Sequence, residues 1–117
     1  MEASAASILI VEDETMIAMM MADMLTDAGY RISEADSPAA AFALIEKDGL
    51  PDLIISDHSM PGMTGAEMID RLIETRGPLP VLITSGHAMG ADFPYPALQK
   101  PFAEADLLSK VRGLLEG

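Results

Sequence analysis

Three short runs in this chain are continuously apolar and stop at an acid or a hydroxyl. ILIV at 8–11 precedes Glu12 and Asp13, LII at 53–55 precedes Ser56 and Asp57, and VLI at 81–83 precedes Thr84 and Ser85. Runs of this length, rich in β-branched residues, suit parallel strands covered on both faces. The stretches between them show helical spacing instead. Ile17, Met20, Met21, Met24 and Leu25 mark a helix over 15–28 that Gly29 ends. A second strand is predicted over 30–35, and Ser37 before Pro38 starts a helix that runs to Asp48 and stops at Gly49. A third strand over 51–56 delivers Asp57 at its end, and a helix over 65–75 carries Met68, Ile69, Leu72 and Ile73. Strands over 79–84 and 97–99 follow. Leu107, Leu108, Val111, Leu114 and Leu115 define a last helix, whose start has Ala103 where Ser or Thr would cap it, a loss of roughly 1 kcal/mol.

Alternating β and α units imply an α/β fold with a parallel sheet and helices on both faces. In such sheets ligands bind at the carboxyl ends of the strands, near a topological switch point. Glu12 and Asp13, Asp57, Ser85 and the Lys100–Pro101 step are therefore expected to converge on one rim.

Composition limits what that rim can serve. At 117 residues, half of them hydrophobic, the chain supports one core. A formal charge of −12 argues against nucleic acid and anionic membrane as direct partners, and favours basic partners or metal cations. The absence of cysteine removes disulfides, thiolate nucleophiles and Cys-type zinc sites. No apolar run approaches the roughly 18 residues of a membrane span, and the opening MEASAAS lacks the basic start and apolar stretch of a secretory signal. A cytoplasmic location without membrane insertion is expected, with residues 1–6 as a disordered N-terminal extension. Met16, Met19, Met20, Met21 and Met24 read as adaptable core filler.

Carboxylates gathered at one rim repel each other by about 4 kcal/mol per pair at 4 Å, for an effective dielectric near 20. A hard divalent cation relieves this best. Magnesium takes oxygen ligands, keeps several waters and accepts one or two carboxylates plus a phosphate. Lys100 supplies a fixed positive charge opposite it, so a dianionic phosphoryl group fits between the two. A strand-end carboxylate in that setting can attack phosphorus in line and become an acyl phosphate, and Asp57 is the candidate nucleophile. The Ser85 hydroxyl and nearby amides can accept the new charge, and Gly86 leaves access.

ILIVEDE at 8–14, LIISDHSMPGMTG at 53–65, PVLITSG at 80–86 and KPF at 100–102 together resemble the receiver domain of two-component response regulators over essentially the whole chain. The resemblance implies a flavodoxin-like, doubly wound five-stranded sheet in the order 2-1-3-4-5. It implies a phosphoacceptor that takes a phosphoryl group onto Asp57 from a histidine kinase or histidine phosphotransfer protein, without turning over a separate substrate. It further implies that Asp13, Asp57 and the backbone carbonyl of Ser59 bind Mg2+, with Glu12 helping through water. Lys100 and Ser85 would contact the phosphoryl group, Ser85 as the switch hydroxyl, and the peptide before Pro101 would be cis. Thr84, one residue earlier, reads as an ordinary strand residue.

The chain departs from the family pattern between Ser85 and Lys100. GHAMGADFPYPALQ holds Gly86, Gly90, Pro94 and Pro96, so the family's fourth helix is expected to be shortened or missing. Ala97 stands three before Lys100, where receivers often carry an aromatic that turns inward, and Tyr95 is on different spacing. Phe93 and Tyr95 are read as flexible loop residues that a partner could order. His58 is a candidate phosphoryl contact through backbone or side chain, balanced by a plain loop reading, and His87 is a candidate for shaping water access. The ending after the last helix favours a stand-alone receiver acting on a separate downstream protein, by relay, by altered partner binding or as a phosphate sink. An aspartate-nucleophile phosphatase is disfavoured because Ser59 stands where a second Asp is needed. A flavin-binding protein is disfavoured because Glu12, Asp13 and Glu14 would repel its phosphate. A receiver-like module that is never phosphorylated is opposed by intact Asp13, Asp57, Ser85 and Lys100.

Overall fold

A computed structural model describes residues 5–116. Five strands, β1 (Ser7–Val11), β2 (Arg31–Ala35), β3 (Leu53–Asp57), β4 (Val81–Ser85) and β5 (Ala97–Gln99), form one sheet in the order β2-β1-β3-β4-β5, and every pairing is parallel. The described residues also form four helices: α1 (Thr15–Asp27), α2 (Pro38–Asp48), α3 (Gly65–Arg76) and α4 (Glu104–Glu116). The expected fold and strand order are present.

Side-chain alternation along the strands sorts the core into two layers. Ile8, Ile10, Leu53, Ile55 and Leu82 pack with Met21 and Leu25 of α1 and with Leu107 and Val111 of α4. Leu9, Val11, Ile54, Val81 and Ile83 pack with Ala41 and Ile45 of α2 and with Met68, Ile69 and Leu72 of α3. Ser37 caps α2 by accepting from the Ala40 amide at 3.1 Å, with Pro38 in the first turn. Thr64 and Glu67 form a reciprocal capping box at α3. The start of α4 has acids instead, Glu104 and Asp106, which favour a helix N-terminus.

Several expectations shift. The third and fourth strands reach one residue further than their patterns suggest, so Asp57 and Ser85 are themselves ladder residues. The helix expected to be shortened or missing is indeed absent: residues 86–96 hold no helix, and the two prolines and two glycines there account for it. Not all the α1 methionines fill the core. Met21 is buried and Met24 partly buried against the core, whereas Met16, Met19 and Met20 are 83%, 56% and 46% exposed, because the buried stripe of α1 runs through Ala18, Met21 and Leu25. Of the expected N-terminal extension, residues 1–4 lie outside the described residues, and the Ala6 carbonyl accepts from the Arg31 amide at 2.9 Å. Among the described residues no helix is long and apolar enough to cross a membrane.

Candidate functional site

The carboxyl ends of β1 and β3 lie side by side, with Val11 paired to Ser56. Glu12 and Asp57 each come one residue later, which places them next to each other. One carboxylate oxygen from each of Glu12, Asp13 and Asp57 falls within 4.8 Å of the others. Asp13 is exposed, whereas Asp57 is 6% and Glu12 only 1% exposed. Lys100, carried in from beyond β5, lies between the buried pair: its Nζ is 3.0 Å from Glu12 Oε1 and 3.3 Å from Asp57 Oδ1.

Burial pushes the Glu12 carboxyl above the usual carboxylate range, against the opposing pull of the hydrogen bonds from Lys100 and the Glu14 amide. For Lys100, burial acts to release the proton, but the hydrogen bond to Glu12 and the charges of Glu12 and Asp57 outweigh it, so the ammonium is held above its ordinary value. Three carboxylates against one ammonium leave the rim with excess negative charge. That donor set, all oxygen, can hold a hard metal ion.

Each side chain is fixed by the backbone beneath it. The Glu12 amide donates to the Ala35 carbonyl at 3.0 Å, and the Lys100 amide donates to the Ser85 carbonyl at 2.7 Å. After Asp57 the chain turns tightly: the His58 amide donates to the Thr84 carbonyl at 2.8 Å, and the Gly65 amide donates to the His58 carbonyl at 2.9 Å. Gly65 is obligatory at this crossing, because a Cβ there would lie 2.5 Å from the Asp57 carbonyl oxygen. The Lys100–Pro101 peptide is cis.

The remaining candidates are arranged as follows. Ser85 is buried, and its Oγ accepts from the His87 amide at 3.0 Å. Gly86 is exposed, with nothing within 4 Å of where a Cβ would stand. Ser59 is exposed beside the rim. The His58 amide is already engaged by Thr84, which leaves its side chain as the part free to meet a ligand. That ring packs edge-on against Phe93, with centroids 5.6 Å apart.

Three features had no usable signal in the sequence. Glu12 meets Lys100 directly, across 88 positions of chain. Thr84, paired across strands with Asp57, buries a hydroxyl that has no partner among the described residues; His58 Nδ1 is in the same condition. Phe93 and Tyr95 are not loose: Phe93 stacks edge-on with Tyr95 at 6.1 Å, and the Tyr95 hydroxyl is hydrogen-bonded to Asp70 of α3.

Residues 8–112 match the family model described as the response regulator receiver domain. The chain is 32% identical over 119 residues to the sensor kinase CckA of Brucella abortus, covering 95% of this chain and 13% of that protein. It is 34% identical over 121 residues to the phosphate regulon transcriptional regulatory protein PhoB of Pseudomonas aeruginosa, covering 93% of this chain and 51% of that protein. It thus spans about half or less of these relatives' length. Among solved structures it is similar to a CheY-like response regulator receiver domain protein from Methanospirillum hungatei, with a TM-score of 0.84, 28% identity, and coverage of 97% of this chain and 95% of that one. Receiver domains of this kind are signalling modules of two-component systems. Since the family match runs from the first strand into the last helix, the chain belongs to the response regulator receiver domain family.

Proposed function

We propose that this chain is a phosphoacceptor of a two-component or phosphorelay system, with Asp57 as the residue modified. One Asp57 carboxylate oxygen attacks the phosphorus of a phosphohistidine on a histidine kinase or histidine phosphotransfer protein. The phosphorus–nitrogen bond breaks, its electron pair returns to the imidazole, which takes up a proton, and Asp57 becomes a mixed anhydride. The observation that carries this reading is the convergence of Glu12, Asp13 and Asp57 within 4.8 Å, with Lys100 inserted between two of them.

Asp13 and Asp57, the Ser59 carbonyl, and Glu12 through water are the groups proposed to hold Mg2+, which supplies charge neutralisation for the incoming phosphoryl oxygens. Lys100 holds the phosphoryl group from the opposite side, releasing Asp57 Oδ1 to do so. The Ser85 hydroxyl turns to bond it while still accepting from the His87 amide, since a hydroxyl has both a proton and two lone pairs. The Gly86 position leaves room, and the His58 side chain borders the group. A separate downstream protein reads the change.

Incubation with acetyl phosphate and Mg2+, followed by intact mass measurement, tests the proposal. The native chain should gain one phosphoryl group and Asp57→Asn none. Equal labelling of both, or labelling of neither, overturns the assignment.

A further inference from the structure

The segment 86–96 touches the proposed site at three places. It begins directly after Ser85, whose Oγ accepts from the His87 amide at 3.0 Å. Its middle rests on His58, the residue after Asp57, through the edge-on ring of Phe93. Through β5 it leads into Lys100. Where it joins β5, its Pro96 carbonyl accepts from the Ile83 amide at 2.9 Å, and its side-chain anchor away from the rim is the Tyr95 hydroxyl on Asp70 of α3, twenty-five positions back in the chain. Phe93 links that anchor to the rim, because it stacks edge-on with both His58 and Tyr95. Inside the segment, the Phe93 amide donates to the Gly90 carbonyl at 3.0 Å, and Met89, Phe93 and Tyr95 lie against the α2–α3 side of the core. A helix would satisfy its own backbone at every turn. This strap has a few point contacts instead.

We propose that residues 86–96 are a latch whose catch is the Tyr95–Asp70 hydrogen bond, and that modification of Asp57 releases it by drawing on the strap at Ser85 and at His58. The proposal rests on the phosphoacceptor reading for the trigger, but not for the catch. A pull at Ser85 reaches the strap through the His87 amide, and a displaced His58 ring takes away the surface on which Phe93 rests. The catch is a single hydrogen bond to a carboxylate on the exposed face of α3, where water competes for Asp70.

Amide hydrogen exchange over 86–96 tests the catch in the unmodified chain. Tyr95→Phe keeps the ring against Phe93 and removes only the hydroxyl, so the fold is retained. Exchange in the strap should speed up about tenfold in Tyr95→Phe, and equally in Asp70→Ala, which removes the acceptor, while the double variant adds nothing further, since both single changes break one contact. Unchanged exchange, or additive effects of the two changes, overturns the catch. The trigger is tested on native chain shown by intact mass to carry one phosphoryl group. Its strap should exchange as fast as that of unmodified Tyr95→Phe, and modification of Tyr95→Phe should produce no further increase. A mass gain with unchanged exchange refutes the trigger alone, whereas absence of any mass gain refutes the phosphoacceptor reading and leaves the catch standing on the variant data.

Discussion

The acidic rim and the strap meet at Ser85, yet they are built on opposite terms. At the rim, Asp57 and Ser85 are ladder residues, Glu12 directly follows a ladder residue, and Lys100 is bonded back through its amide to the Ser85 carbonyl. Moving the backbone of any one of these requires breaking sheet hydrogen bonds. The strap is held by two edge-on ring contacts, one hydroxyl–carboxylate bond, a turn, partly buried apolar side chains and one backbone bond at each end, from the His87 amide and to the Pro96 carbonyl. The lesson is a division of labour: chemistry that needs sub-ångström placement sits on the most cooperative part of the fold, and movement is left to the part whose opening costs least.

The contrast can be broken most directly at the rim. Asp57→Asn should abolish phosphoryl incorporation while leaving strap exchange in the unmodified chain as it is. A variant that still labels would show that the rim does not act through this residue.

Gly65→Ala tests how tightly the rim is built. The added methyl would stand 2.5 Å from the Asp57 carbonyl oxygen and 3.0 Å from Ser56 Oγ, both buried and with no room to retreat. A loss of about 1–3 kcal/mol in urea unfolding is expected, with slower phosphoryl incorporation. Tolerance of alanine would mean that the turn after Asp57 is soft, and the distinction from the strap would lose its basis.

Thr84→Val probes the same region with the opposite sign. The Thr84 hydroxyl is buried beside Asp57 without a partner among the described residues, so replacing it with a methyl removes a desolvated polar group and should stabilise the chain by about 1 kcal/mol. A loss of stability would show that this hydroxyl is engaged, and that the rim includes one more working group.

The smallest effect is expected at the strap. Tyr95 is pushed up from 10.0 to about 12, by burial first and then by its hydrogen bond to Asp70 and that carboxylate's charge. The folded chain therefore holds this proton more tightly than the unfolded chain does. The stabilisation is complete below pH 10.0 and vanishes as pH rises through about 12. Ultraviolet titration of the chain's two tyrosines should show a phenolate transition near that value, lost in Tyr95→Phe and lowered in Asp70→Asn. A late transition that survives Tyr95→Phe would place the catch elsewhere.

Most of the scaffold was legible because its signals are local. Apolar runs of three or four residues, Ser37–Pro38 as a start, Gly29 and Gly49 as stops, and two prolines against a helix in 86–96 each act within a few positions. The methionines of α1 show where that legibility fails. Met20 and Met21 both fit the helical spacing of apolar residues in that stretch, but one is 46% exposed and the other fully buried. Only the angle at which the helix meets the sheet separates them.

The sequence by itself determined the order of elements, the absence of a helix before β5, and which side chains arrive at the carboxyl ends of the strands, since propensity, punctuation and alternation operate along the chain. Tertiary structure alone decided that Glu12 is buried against Lys100 while Asp13 faces solvent, that Thr84 and His58 carry unsatisfied atoms beside Asp57, and that Tyr95 reaches Asp70. Those outcomes depend on contacts between residues far apart in the chain, whose burial and partners exist only once the sheet has closed and the helices have docked.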